Sequence, residues 1–149
     1  MKRIMGIDYG TARIGVALSD ELQMLAHPTE TIALSKVADP LARIAAIVSE
    51  KNVERIVVGL PKHMNGSAGA SAEEASGFAQ KLKAKVDCEV RTWDERLSSV
   101  AAHRALRDAG KSTRQTRGYI DQVAAQMLLQ GYLDSLPQNQ HGLAPDPFA

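Results

Sequence analysis

Three acidic residues, Asp8, Glu95 and Asp121, stand at points in the sequence from which the backbone could bring them together. Asp8 ends one apolar segment, Glu95 follows another, and Asp121 opens the last amphipathic segment. In open α/β sheets, ligands bind at the carboxyl ends of the strands, so Asp8 and Glu95 are expected in one crevice. Carboxylate oxygens suit Mg²⁺ or Mn²⁺, and two such ions about 3.5 to 4 Å apart can clamp the reacting oxygens of a phosphodiester. The spacing therefore predicts a metal site suited to phosphodiester hydrolysis.

Each of these acids also has an ordinary structural interpretation. Asp8 could make an Asx-type turn, and Glu95 could be a surface partner of Arg96. Asp121, in a first helical turn, could simply complement the helix dipole. Asp8 is the hardest to explain structurally, because a carboxylate within an apolar strand is costly unless something compensates its charge. Asp94 competes with Glu95, because successive strand side chains face opposite ways and only one of the two can face the crevice.

The apolar pattern predicts the elements that must position these residues. Two apolar runs separated by a glycine-containing turn predict a β-hairpin, and Asp39 followed by Pro40 predicts a helix start. A β-branched run that is apolar on both faces suits a buried parallel strand. Strand, helix and strand in this order indicate an α/β sheet. The predicted strands cover residues 3–9, 14–18, 31–34, 55–60 and 89–94, and the predicted helices cover about residues 40–51, 71–82, 98–110 and 119–136.

The connecting segments complete the predicted organisation. Ser71, with Glu74 three positions later, predicts a capping box at the start of the second helix. Residues 62–69 and 111–118 are polar and glycine-bearing, which predicts loops that are mobile without a substrate. We predict one domain over residues 1–137 and a disordered tail over residues 138–149.

Composition and charge limit the classes of function. Cys88 is the only cysteine, which excludes an internal disulfide and suits a reducing compartment. No segment approaches the ~20 apolar residues of a membrane span, so we predict a cytoplasmic protein with no membrane partner. The formal net charge is +1, so a nucleic-acid site would need local clustering of basic residues, which could equally form a solvated face. The clearest cluster contains Arg96, Arg104, Arg107, Lys111, Arg114 and Arg117.

Four motifs in order carry a specific resemblance to a known family. Residues 6–20 (GIDYGTARIGVALSD) resemble the opening signature of the YqgF/RuvX family. Residues 57–67, which contain VVGLP and NGS, residues 94–98 (DERLS) and residues 120–125 (IDQVAA) are similar to its later motifs. The match extends over nearly the whole chain except the tail, and four motifs in register are far more specific than one.

The resemblance implies a ribonuclease-H-like α/β fold, with a mixed central sheet flanked by helices, and nuclease activity. The implied substrate is precursor 16S ribosomal RNA, free or in pre-ribosomal particles, or alternatively a branched DNA such as a Holliday junction. Carried over by motif, the family's acidic positions fall on Asp8, Glu95 and Asp121, which favours Glu95 over Asp94. The chain departs from the family in residues 114–119, where relatives often carry a lysine-rich run. Fewer charges then neutralise phosphates, so we expect neither tight binding nor binding that survives high salt.

The leading hypothesis is thus metal-dependent hydrolysis of structured RNA, with a water molecule as the nucleophile. Arg13, Arg96 and Arg117 are the candidate phosphate contacts, although each could instead be a solvent-exposed arginine in a weak ion pair. An Asp-x-Gly-Thr string also resembles the phosphate loop of actin-like ATPases, which close two such domains over a nucleotide. A non-catalytic RNA-binding module is the third hypothesis.

Overall fold

A mixed five-stranded sheet forms the centre of the described part of the chain, in the order β3-β2-β1-β4-β5. The structure, a computed structural model, describes residues 2–61, 69–98, 100 and 114–137, with side chains from Ile120 onward in the last range. β1 pairs antiparallel with β2, which pairs antiparallel with β3, whereas β4 runs parallel to both β1 and β5. The strands are β1 (Arg3–Tyr9), β2 (Arg13–Ser19), β3 (Ala26–Ala33), β4 (Val53–Leu60) and β5 (Glu89–Asp94).

Helices cover both faces of this sheet. Helices α1 (Pro40–Lys51) and α2 (Ala70–Lys83) pack on one face, where Ile44 and Phe78 join the buried strand residues. A 3₁₀ turn, η1 (Glu95–Leu97), follows β5, and helix α3 (Arg114–Asp134) packs on the opposite face. Among the helices of the described ranges, none could serve as a membrane-spanning segment.

The first helix begins where its sequence predicts. The Asp39 carboxylate accepts a hydrogen bond of 3.1 Å from the Ala42 N–H, with Pro40 as the first helical residue. This cap satisfies a backbone donor that the helix itself leaves without a partner. The predicted hairpin, parallel strand and mixed sheet are confirmed in the same way.

The second helix begins differently from the prediction. Gly69 precedes it, and no side chain caps it. The expected capping box of Ser71 and Glu74 is wrong, because both residues lie inside α2 with exposed side chains. A capping serine must stand immediately before the helix, and here the helix has already started at Ala70.

Two other boundaries also differ from the prediction. Strand β3 begins at Ala26, although Pro28 argues against a strand, because β3 is an edge strand and its pairing with β2 shifts register beside Pro28. Helix α3 begins at Arg114, so the expected loop over residues 111–118 is wrong from residue 114 onward. Gly118 misleads here, because one glycine costs a helix only about 1 kcal/mol.

Several predictions fall on residues that the structure does not describe. The structure does not describe residues 62–68 of the predicted loop over 62–69, residues 111–113 or the predicted tail over residues 138–149. Of the predicted helix over residues 98–110, the described part shows the Val100 N–H donating to Ser98 Oγ over 3.3 Å. This contact is the one expected of a capping serine.

Candidate active site

The strand register places Asp8 between two glycines. Asp8 pairs with Gly15 of β2, and Ile7 pairs with Val58 of β4, so that Gly59 is the next neighbour of Asp8 on the other side. Side chains at matching positions of adjacent strands project from the same face. Asp8 therefore stands on the face covered by α3, with no side chain on either flank.

Asp121 lies directly over the first of these glycines. A Cβ atom added to Gly15 would collide with the backbone carbonyl oxygen of Asp121. The Asp121 carboxylate turns toward β2, where its Oδ2 accepts a hydrogen bond of 2.6 Å from Arg13 Nε. The missing side chain at Gly15 thus lets α3 bring Asp121 down onto the strand next to Asp8.

Glu95 lies over the second glycine. A Cβ atom added to Gly59 would lie 3.2 Å from Glu95 Cγ and 2.8 Å from Leu128 Cδ2. The turn η1 holds Glu95 in place, because both the N–H and the hydroxyl of Ser98 donate to the Glu95 carbonyl oxygen, over 3.0 and 2.8 Å. The two glycines therefore bring Glu95 and Asp121 to opposite sides of Asp8.

All three acids are buried. Asp8 is 5%, Glu95 3% and Asp121 7% exposed, and among the described residues Ser19 is the other polar residue buried to this extent. Ionised carboxylates are seldom buried unless a partner or a metal compensates their charge. A group of buried acids from three separate elements is the usual sign of a functional site.

The donor set fits a hard divalent cation in its chemistry. Three carboxylates supply only oxygen ligands, which Mg²⁺ and Mn²⁺ prefer, and Gly15 and Gly59 let Asp121 and Glu95 approach Asp8. Within the described residues, however, no three His, Cys, Asp or Glu side chains are already arranged as a metal-binding group. Joint binding of one ion would require these carboxylates to turn toward one another.

Asp94 and Glu95 differ in their burial and in their partners. Glu95 is buried, whereas Asp94 is partly exposed and accepts hydrogen bonds from the backbone N–H and guanidinium of Arg96, at 2.9 and 2.6 Å. The hydrogen bond from its side chain to Asp94 raises the pKa of Arg96 above its usual value. Asp94 therefore serves as the surface partner of Arg96, a role that the sequence also allowed for Glu95.

The structural interpretation of Asp121 as a dipole partner is wrong. Helix α3 starts at Arg114, and no acidic residue lies in its first turn. The favourable interaction of an acid with the helix dipole fades beyond that turn. Of the expected phosphate contacts, Arg13 and Arg96 lie beside acids in ion pairs, and the side chain of Arg117 lies outside the described part of the chain.

The sequence interpretation missed Gly15 and Gly59. Glycine inside a strand often marks a close approach of another backbone or a ligand, and both positions interrupt apolar runs within their strands. That signal was present in the sequence. The sequence did not show the strand register that places both glycines beside Asp8.

Comparison with known proteins decides the family. A family model described as RuvX, Holliday junction resolvase, matches residues 2–135. The chain belongs to the RuvX family. A relative from Moorella thermoacetica is 51% identical over 137 residues, which cover 92% of this chain and 98% of the relative. A relative from Desulforamulus reducens is 48% identical over 133 residues, which cover 89% of this chain and 97% of the relative. Both are provisionally named pre-16S rRNA nucleases, so this RuvX-family chain groups with nucleases.

Solved structures agree on the fold. Thermus thermophilus RuvC in complex with a Holliday junction substrate matches with a TM-score of 0.55 and 13% identity, covering 91% of this chain and 95% of RuvC. A second structure of that RuvC matches with a TM-score of 0.54 and 13% identity, over 89% and 95% of the two chains. At such low identity the likeness extends to the fold alone. The predicted ribonuclease-H-like fold of this RuvX-family chain is confirmed.

Proposed function

We propose that this chain is a metal-dependent endonuclease that hydrolyses phosphodiester bonds in structured RNA. Its proposed task is processing of the 5′ end of precursor 16S ribosomal RNA, free or in pre-ribosomal particles, during ribosome biogenesis. The observation that carries this proposal is the burial of three carboxylates, from β1, η1 and α3, around two glycines on one face of the sheet. The names of the relatives support RNA as the substrate.

The proposed roles follow from position and chemistry. Asp8, Glu95 and Asp121 would hold Mg²⁺ or Mn²⁺. When bound, such an ion neutralises charge on the phosphate and makes a water molecule easier to deprotonate. Arg13 pairs with Asp121, and Arg96 follows Glu95 in η1. Both present planar guanidinium groups that match phosphate oxygens. Arg117 is added to this set from the sequence alone.

Charge favours RNA over branched DNA. A junction resolvase grips several duplex arms, which requires an extended basic surface and usually a symmetric dimer. The net charge of this chain is only +1. Cleavage of one RNA strand requires a smaller contact area on the protein than binding of several duplex arms. The ring of Tyr9 is engaged within the protein and not in the site, because it stacks on Phe78 of α2, with ring centroids 4.6 Å apart, on the face opposite Asp8.

Holliday junction cleavage is the second candidate, and the description of the family model favours it. A decisive experiment compares cleavage of a precursor 16S RNA fragment and of a synthetic four-way DNA junction at matched salt, with Mg²⁺ and with Mn²⁺. We expect the RNA to be cut faster, and only when metal is added. Symmetric junction cleavage faster than RNA cleavage in both metals would overturn the choice of substrate.

A matched variant tests whether the chain is catalytic at all. Asp8→Asn keeps the shape of the side chain but removes its charge, so the proposal expects loss of RNA cleavage. RNA cleavage that is equal in the wild type and in this variant would point to a non-catalytic RNA-binding module and a contaminating nuclease.

A further inference from the structure

Arg13 lies at the border of the acidic group, on the same face of β2 as Gly15. Its Nε donates to Asp121 Oδ2 over 2.6 Å, and the side chain of Arg13 is 34% exposed, compared with 10% for the Asp121 side chain. The pair thus joins a solvent-accessible guanidinium to a buried carboxylate. In this position Arg13 offsets part of the negative charge that three neighbouring acids create.

The backbone fixes where this guanidinium can reach. The Gly10 N–H donates to the Arg13 carbonyl oxygen over 3.0 Å, which closes the turn between β1 and β2. Two residues later, Gly15 admits the backbone of Asp121. Strand β2 therefore contacts Asp121 twice, at its backbone through Gly15 and at its carboxylate through Arg13.

We propose that Arg13 and the divalent cation compete for the Asp121 carboxylate, and that Arg13, once displaced, contacts a phosphate of the nucleic acid. This inference rests on the proposed metal-dependent function and adds an exchange of partners to it. A carboxylate oxygen that ligates a cation loses much of its attraction for a guanidinium. The cation and Arg13 also repel each other at this short range.

Because Arg13 is partly exposed, the exchange of partners costs little free energy. A partly exposed ion pair contributes little to stability, because water already solvates one of its members. A phosphate then offers the guanidinium a charge-assisted, bidentate partner. If Arg13 only positioned Asp121 for the metal, its removal would weaken metal binding, whereas competition requires its removal to strengthen metal binding.

The test therefore measures Mn²⁺ affinity by titration calorimetry, in wild type and in Arg13→Gln. We expect the variant to bind Mn²⁺ about fivefold more tightly and its metal-free Tm to fall by about 2–4 °C. Arg43→Gln is the matched control, because the side chain of Arg43 is 39% exposed and pairs with Glu30 at 2.6 Å on the opposite face of the sheet. This control should lower Tm and leave Mn²⁺ affinity unchanged.

A second measurement does not depend on the metal. Asp121→Asn removes the charge that holds Arg13, so we expect tighter binding of a short RNA in the presence of a chelator. Combining Asp121→Asn with Arg13→Gln should abolish that gain. Absence of the gain would overturn the proposed transfer of Arg13 to phosphate.

The outcomes separate this inference from the function on which it rests. Wild-type protein that binds Mn²⁺ and cleaves RNA, with Arg13→Gln binding Mn²⁺ equally or more weakly, would overturn the competition and leave the nuclease proposal intact. Folded wild-type protein that shows no saturable Mn²⁺ binding would overturn both.

Discussion

Asp8 is the one acidic residue of strand β1, whose interior residues are all buried. Its type and its place in an apolar segment are visible in the sequence, and they made Asp8 the acid least easily explained by structure alone. Its surroundings could not be predicted, because Gly15 and Gly59 come beside it only through the pairing of three strands. Local patterns predict strands, whereas register between distant strands depends on the packing of the whole sheet.

Asp8→Asn should abolish nuclease activity while Tm stays equal or rises slightly. The amide keeps the size of the side chain and removes repulsion between neighbouring carboxylates in the metal-free protein. Cleavage assays with Mg²⁺ and thermal unfolding in a chelator measure the two effects. Wild-type turnover in this variant would refute the catalytic assignment, and a large loss of Tm would show that Asp8 is structural.

Glu95→Gln and Asp94→Asn should have opposite consequences for activity. Glu95 is buried beside Gly59, so Glu95→Gln should lose the RNA cleavage activity that the wild type shows at the same substrate concentration. Asp94 pairs with Arg96 near the surface, and asparagine can still accept the hydrogen bond that begins η1. We expect Asp94→Asn to retain most of the activity and nearly all of the stability, because an ion pair at the surface contributes little. Equal loss of activity in both variants would contradict the assignment.

At the scale of elements, helix α3 determines the site because it packs so closely on the sheet. Its sequence predicted a helix but placed the start at residue 119 instead of Arg114. Asp121 is therefore an interior residue of α3 that faces β2, and it does not belong to the first turn of the helix. Glycines in the facing strands allow this approach, since a Cβ atom on Gly6 would lie 2.7 Å from Leu129 Cβ. Such an approach depends on two elements at once, so neither sequence segment predicts it alone.

Gly15→Ala should destabilise the protein and inactivate it. The added methyl group would meet the Asp121 carbonyl oxygen, so α3 must move away from β2. Overpacking of this kind costs roughly 1–3 kcal/mol, and we expect cleavage to fall with the displacement of Asp121. Denaturant unfolding and the RNA cleavage assay measure both losses.

Gly77→Ala is the matched control for this substitution. Gly77 lies inside α2, and a Cβ atom there meets nothing within 4 Å. Alanine should therefore stabilise the helix by about 0.5–1 kcal/mol and leave cleavage unchanged. Equal stability changes for the two glycine variants would contradict the close packing of α3 on Gly15.

At the scale of the whole molecule, the described surface has little unbalanced positive charge. The net charge of the chain is +1, and that near balance was evident from the sequence. The ion pairs of its arginines were not evident from the sequence, because most of the partner carboxylates are distant from them along the chain. Each arginine whose side chain the structure describes forms an ion pair with a carboxylate: Arg3, Arg13, Arg43, Arg55, Arg91 and Arg96.

This balance leaves the basic residues that follow η1 in sequence as the main source of attraction for phosphates. Their side chains lie outside the described part of the chain, so the expectation comes from their clustering in the sequence. A basic-cluster variant can be compared with a control variant that removes the same charge from exposed lysines in and just after α2. The two variants are Arg104→Gln/Arg107→Gln/Lys111→Gln and Lys81→Gln/Lys83→Gln/Lys85→Gln.

The basic-cluster variant should bind RNA more weakly and with less dependence on salt. Each phosphate contact that is lost reduces the slope of log affinity against log salt concentration by about 0.7 for single-stranded RNA. The control variant changes net charge equally, but its lysines belong to the face of the sheet opposite the three acids, so its slope should remain that of the wild type. Measurement of RNA affinity at several salt concentrations, in a chelator to prevent cleavage, gives both slopes. If the two variants reduce the slope equally, binding depends on net charge alone, and the basic cluster has no special part in it.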